Sequence, residues 1–262
     1  MKKDKYNIVE LSIIYFLLLN GFTSIFIKGL SLPLIISITI GYFINSYLID
    51  KNNKIFILIS IIYSFFIGIF ILINTSFIIT DYITPNHNLF IISILFIFIS
   101  LFLSSKGLKS IIIASNLLFI IYIIVILISF TSNIFNINIS NINSNILDNN
   151  NIISPLISLI TPILFFSIIP KHKISNYIKY KDSLKKTYIL FSIYLIIKIL
   201  FISSIIRINN INNISYYEIT LYNLIKIDYI KNLLIINILI ERFIMLSVII
   251  YYIKKRLNCR FL

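Results

Sequence analysis

The 262-residue sequence contains no tryptophan, one cysteine, two histidines, and only five glycines and five prolines. The lone Cys259 excludes an intrachain disulfide and any cysteine-based metal cluster. His87 and His172 are far apart, and the apolar runs between them put them on opposite sides of a membrane. Glycine is too scattered to form a phosphate-cradling loop. The nine acidic residues build no cluster with histidine and no nucleophile–base pair. An integral-membrane enzyme acting on lipid-linked substrates would need such a cluster, so the expectation is a non-enzyme with no cofactor and no metal.

What the chain has in abundance is apolar. Its residues are 59% hydrophobic with a mean hydropathy of +0.99, far outside the soluble range. The excess of Ile, Asn, Lys and Tyr looks like drift under an AT-rich genome. Long apolar runs fall at about 8–27, 29–49, 55–80, 89–103, 111–130, 152–169, 188–206 and 233–253. A helix rising about 1.5 Å per residue needs about 20 residues to cross a hydrocarbon layer of about 30 Å, and most of these runs reach that length. The expected fold is therefore an all-α polytopic membrane protein of about eight transmembrane helices, forming one domain over residues 1–262. No secretory cleavage site follows the first run, which is expected to be a retained helix.

Charge gives the orientation. Numbering the gaps alternately, 17 of the 23 Lys and Arg residues fall on one side: Lys2, Lys3, Lys5, Lys51, Lys54, Lys106, Lys109, Lys171, Lys173, Lys179, Lys181, Lys185, Lys186, Lys254, Lys255, Arg256 and Arg260. The other side holds Lys28, Arg207, Lys226 and Lys231, while Lys198 and Arg242 lie inside spans. Basic residues in short loops stay cytoplasmic, so both termini are expected there, as an even number of spans requires. The net charge of +14 is dispersed over short flanking loops, so the partner is the lipid bilayer with its anionic headgroups and not nucleic acid. The Asn-Ile repeats of 133–151 read as a low-complexity outside loop. The basic segment 170–187 reads as an inside loop, either solvated or carrying a short amphipathic helix with Tyr177, Ile178 and Leu184 on the headgroups.

Polar residues inside spans are the functional candidates, because each costs several kcal/mol of insertion unless partnered or wet. Lys198 falls near the middle of the seventh span, and Glu241 and Arg242 lie in the eighth. On one reading Lys198 faces a cavity and pairs with Glu241, with Arg242 pointing elsewhere. On the other, Lys198 snorkels, and a shifted eighth span moves Glu241 and Arg242 to the outer boundary. Helix breakers add a second signal. Asn20-Gly21 with Thr23-Ser24 interrupts the first span, and Pro155 with Thr161-Pro162 interrupts the sixth. In transporters built from five-helix inverted repeats these two spans correspond, and paired breaks mark a mid-membrane site. The alternative is that the breakers are packing or kink devices. A half-helix N-terminus at Phe22–Ser24 would hold a ligand carboxylate, and Thr161 would add a hydroxyl.

Several segments resemble one family. Lys106-Gly107-Leu108-Lys109, followed by Ala114-Ser115-Asn116-Leu117-Leu118-Phe119, is similar to the Arg-Gly-Leu segment and following helix of the spore germination permeases, the B subunits of nutrient germinant receptors. Pro162–Pro170 before a basic loop resembles the end of their sixth span. Thr220-Leu221-Tyr222-Asn223-Leu224 resembles the outside loop before their eighth span, and Glu241-Arg242-Phe243 the pair that opens it. The matches follow family order over Tyr6–Lys255.

This resemblance implies a LeuT-like fold of the amino acid–polyamine–organocation superfamily, with an incomplete 5+5 inverted repeat. It further implies a place in the spore inner membrane or cell membrane, A-type and C-type receptor subunits as partners, and an amino acid or similar small nutrient as ligand. The candidate site read from the helix breakers and the span charges comprises Asn20, Gly21, Phe22, Thr23, Ser24, Thr161 and Pro162, with Lys198, Glu241 and Arg242 as intramembrane charges. The chain departs from the family in showing eight spans where ten are usual, in carrying Asn116 and Thr161 where Glu is common, and in a longer gap between Thr220 and Glu241. Alternative expectations are a secondary amino-acid transporter, and a structural membrane subunit or non-functional shortened paralogue.

Overall fold

A computed structural model describes residues 6–27, 31–48, 54–83, 88–139, 152–166, 169, 174, 176–205 and 228–258. His87, His172, Cys259 and the Thr220–Leu224 segment lie outside the described residues, as does most of the Asn-rich loop. Eight α-helices account for nearly everything described: α1 Ile8–Phe26, α2 Leu32–Leu48, α3 Lys54–Tyr82, α4 Leu89–Ser105, α5 Leu108–Asn133, α6 Ile153–Phe166, α7 Tyr177–Ile205 and α8 Asp228–Asn258. No strand occurs among the described residues, only an isolated parallel bridge between Tyr6 and Ile174. Four helices are long and apolar enough to cross a membrane, over Ile8–Phe26, Ile57–Asp81, Leu108–Ser132 and Ile235–Leu257. The shorter apolar helices are α2, α4 and α6.

The asparagines that are so common here start several of these helices. The side-chain oxygens of Asn7, Asn88 and Asn176 accept from the backbone N–H groups of Val9, Phe90 and Lys179 at 3.1, 2.9 and 3.1 Å. Each supplies an N–H near the helix start with a partner it would otherwise lack. Between α4 and α5 the chain turns at Gly107, whose φ of 94° and ψ of 177° form a region open in practice only to glycine. The Lys-Gly-Leu-Lys segment thus owes its glycine to a tight turn.

Hydrogen bonds between helix ends fix their directions. Ser12 meets Ser183 at 2.6 Å, and Ser60 meets Tyr252, so the starts of α1, α3 and α7 and the end of α8 share one end of the bundle. Burial raises the Tyr6 hydroxyl pKa and Tyr251 adds to the rise, while Lys109 at the start of α5 lies close enough to oppose it. The basic residues of the α4–α5 turn, the α7 start and the α8 end therefore gather at this end. At the opposite end, Ser154 donates to the Phe26 carbonyl at 2.9 Å, and Ser76 meets Ser93 at 2.6 Å.

The exterior is apolar, unlike that of a water-soluble protein, and small polar residues are buried among the apolar core. Phe43 and Phe98 are 70% exposed and Phe66 65%, whereas Ser37, Ser64, Thr75, Ser100, Ser115 and Ser158 are wholly buried. An apolar outside of this extent suits hydrocarbon, and small polar residues facing inward let helices approach. Of the four long apolar spans, those of α1 and α8 are the most buried, at 61% and 72% against 28% for α3 and α5. Any central site must therefore be built on α1 and α8.

Of the basic segment expected to be an inside loop, solvated or carrying a short amphipathic helix, residues 177–187 are the first turns of α7, continuous with its apolar part. Tyr180 and Leu184 turn into the bundle at 2% and 1% exposure, and burial raises the pKa of the Tyr180 hydroxyl well above its ordinary value. Packing against the neighbouring helices outweighs attraction to a surface, so the helix continues beyond its apolar stretch.

Candidate functional site

The interruption expected in the first span is absent, because α1 runs unbroken from Ile8 to Phe26. One glycine costs a helix about 1 kcal/mol, too little to break it. The hydroxyls of Thr23 and Ser24 donate to the carbonyls of Asn20 and Gly21 at 3.0 and 2.9 Å, satisfying themselves within the helix. No half-helix N-terminus therefore forms at Phe22–Ser24. Phe22 is buried and stacks on Phe165 of α6 at 6.1 Å between ring centroids.

Gly21 has a different purpose from the one its sequence context suggests. A Cβ added there would run into Met245 Sδ and come within 3.4 Å of Glu241 Cβ. Its missing side chain is what lets α8 lie against α1. That contact brings Glu241 and Arg242, 1% and 0% exposed, onto the Asn20–Ser24 stretch. They are not turned apart, since both reach Ser24.

The centre of the cluster is Asn20, itself wholly buried. Its amide nitrogen donates to Glu241 Oε1 and to the Tyr122 hydroxyl of α5, and its amide oxygen accepts from Lys198 Nζ of α7 at 3.3 Å. Lys can only donate and a carboxylate can only accept, so the two neighbours fix which way the amide points. Lys198 is thus linked to Glu241 through Asn20. Snorkelling does not describe it, because its ammonium turns to the centre and lies 5.9 Å from the Tyr194 ring.

Arg242 completes the group from the other side. Its Nη1 donates to the Gly21 carbonyl, and its Nη2 donates to Ser24 Oγ at 3.1 Å. The Ser24 proton lies between the Gly21 carbonyl at 2.9 Å and Glu241 Oε2 at 3.4 Å. Tyr122 extends the network to the Tyr194 hydroxyl at 3.3 Å, and its carbonyl accepts from Asn237 at 3.3 Å. Three formally charged side chains from two helices thus converge on one stretch of α1, inside an apolar bundle. Such a group is costly to bury and is held only by a nearly complete set of partners.

Thr161 and Pro162 are engaged elsewhere. The Thr161 hydroxyl is 2.6 Å from the Tyr63 hydroxyl of α3 and 2.7 Å from the Ile157 carbonyl. None of its described hydrogen bonds reaches the Asn20 cluster. The helix continues through Pro162, which cannot serve the Ser158 carbonyl; the next carbonyl, of Leu159, accepts from Asn45 of α2 at 3.1 Å. Pro162 therefore leaves the helix one hydrogen bond short, next to a carbonyl that a neighbouring helix supplies with a donor. At Asn116, half-buried on α5, the side-chain oxygen is shielded and has no hydrogen-bond partner among the described residues.

Tyr122, Tyr194 and Asn237 were not among the residues expected at the site. Each sits in an apolar run like many lipid-facing tyrosines, and only the inward turn of α5, α7 and α8 distinguishes them. A small apolar cavity lies nearer the basic end, between Ile14 of α1, Phe165 of α6 and Tyr251 of α8. No family model, curated protein or solved structure matches the chain.

Proposed function

We propose that this protein is a germinant-receptor-like permease subunit, a multi-pass membrane protein that binds an amino acid or a similar small nutrient without chemical catalysis. The observation that carries this reading is the cluster of buried Asn20, Glu241 and Arg242 with the half-buried Lys198. Charged groups at the depth of a bilayer are expensive and mark binding or transport pathways when they face the bundle interior. All eight helices cross the membrane on this reading, with the basic end and both termini in the cytoplasm.

Two further features support it. The helices α1 and α6 pack antiparallel, with Tyr15 edge-on to Phe166 at 5.2 Å and Ser154 bonded to the Phe26 carbonyl. First helices of two inverted repeats are expected to meet in this way around a mid-membrane site. The short segments quoted above also follow the order of the germination permeases, whose A-type and C-type subunits would be the partners.

Germination of spores carrying Lys198→Leu tests the proposal. The expected result is a loss of nutrient response at unchanged protein level, because the change removes the cation bound to Asn20 and keeps an apolar stem. A normal response at normal level rejects the site. A second reading, a secondary amino-acid transporter, is favoured by the linked carboxylate and ammonium on α8 and α7. Ion-gradient-driven uptake of labelled amino acid into proteoliposomes would establish it.

A further inference from the structure

The small apolar cavity at the basic end of the bundle shares no residue with the central cluster. It lies more than a helical turn from Asn20 and Arg242, walled by Ile14 of α1, Leu108 of α5, Phe165 of α6 and Val248 of α8. Its empty space is about 400 Å³ counting the part open to the surface, so the enclosed part has room for only a short chain of carbons. An apolar pocket offers water no partners and stays dry, and its lining lacks contacts until an apolar group fills it. Among the described residues Lys255 is the one charged side chain in the lining. Its ammonium donates to the Tyr251 hydroxyl at 3.3 Å and lies 5.7 Å from the centroid of that ring, and among the described residues it has no carboxylate partner. Tyr251 and Lys109 both act on the Tyr6 hydroxyl, so a second ammonium is near the same mouth. A dry pocket with a cation at its mouth matches a molecule with an apolar tail and a negative head.

We infer that this cavity binds a short aliphatic carboxylate, with its hydrocarbon tail between Ile14, Leu108, Phe165 and Val248 and its carboxylate at Lys255. Burying the tail supplies affinity without direction, and the ammonium fixes which end faces out. An amino acid would bring its own ammonium to a mouth that is already positive. The site therefore differs from the nutrient site proposed above in both place and ligand class. A diacyl lipid carries a negative head as well, but its long chains need an open groove, whereas the enclosed space here ends after a few carbons.

The test is equilibrium dialysis of hexanoate, hexanol, hexylamine and acetate against the purified full chain in phosphatidylcholine nanodiscs, with empty discs as the reference. Hexanoate is expected to bind saturably and far more tightly than acetate, since each buried methylene is worth roughly fourfold. Hexylamine, with its positive head, is expected not to bind. Lys255→Gln should weaken hexanoate binding roughly tenfold while leaving hexanol unchanged, and Lys255→Arg should restore it. Val248→Phe fills the cavity and should abolish binding of both hexanoate and hexanol. Should that variant fail to fold, the half-buried Lys255 still decides, because its replacement leaves the cavity lining in place. Acetate or hexylamine binding as tightly as hexanoate, no saturable hexanoate binding, or an affinity unchanged in Lys255→Gln each overturns the inference. Complete loss of hexanoate binding in discs containing phosphatidylglycerol would give the site to a lipid and overturn it too. None of these outcomes involves the Asn20 cluster, so failure here leaves the nutrient reading standing.

Discussion

Gly21 of α1 and Met245 of α8 are in such close contact that a Cβ on the glycine would overlap the thioether sulfur. Met245 is wholly buried and cannot swing aside into solvent. Its sulfur is also 3.7 Å from Arg242 Nη1, so moving it disturbs the charged cluster. Gly21→Ala should therefore destabilise the folded protein by about 1–3 kcal/mol, the usual cost of overpacking. Thermal unfolding in detergent should register the loss, and adding Met245→Ala should recover part of it. A Gly21→Ala protein as stable as wild type would mean that α1 and α8 are farther apart.

Thr161 and Tyr63 form a hydroxyl pair linking α6 to α3. Thr161→Val keeps the shape and removes the hydroxyl, at about 0.5–1.5 kcal/mol of stability. Tyr63→Phe should cost about the same, and the double variant less than the sum of the two. A stability cycle that is strictly additive would show that the pair does not form. The nutrient dose–response of Thr161→Val should match wild type at equal protein levels, because the hydroxyl is bonded to α3.

Gly107 at the α4–α5 turn adopts φ 94° and ψ 177°. Gly107→Ala should cost about 1–3 kcal/mol in backbone strain, even though open space surrounds the position. An unchanged melting temperature would contradict this backbone conformation.

Topology follows from where the basic residues collect. A reporter fused after Lys106 should read as cytoplasmic and one fused after Asn138 as external. These positions lie on either side of α5, so two reporters on the same side would remove that crossing.

Hydropathy makes the helices easy to find in the sequence, because a long apolar run has few alternatives to a helix. The α1 boundaries, Ile8–Phe26, nearly match the apolar run, since Asn7 caps one end and the run stops at the other. For α7 the apolar run begins eleven residues late, at Tyr188 against an observed start at Tyr177. Hydropathy registers the edge of hydrocarbon, whereas Tyr180 and Leu184 keep the backbone helical beyond it. The site was legible in part. Lys198, Glu241 and Arg242 stood out because charge is rare in such runs, and Asn20 stood out beside Gly21. The role assigned to the Asn20-Gly21 pair was a break, but a helix tolerates one glycine, and the pair instead permits close packing and supplies an amide bridge. Tyr122 could not be chosen over other tyrosines without knowing which face of α5 turns inward. Thr161 and Pro162 looked like partners of Asn20, yet the rotation of α6 directs the hydroxyl to α3.

The central claim is that the Asn20 cluster receives the ligand and is not merely a device for holding helices together. The most direct test is the nutrient dose–response of spores carrying Asn20→Leu at matched membrane levels, because leucine nearly preserves volume while breaking the bridge between Lys198 and Glu241. The account predicts normal insertion, with the response shifted roughly tenfold or more to higher nutrient concentration, the effect of losing charge-assisted hydrogen bonds worth about 1.5–3 kcal/mol. A response curve that coincides with wild type would contradict it.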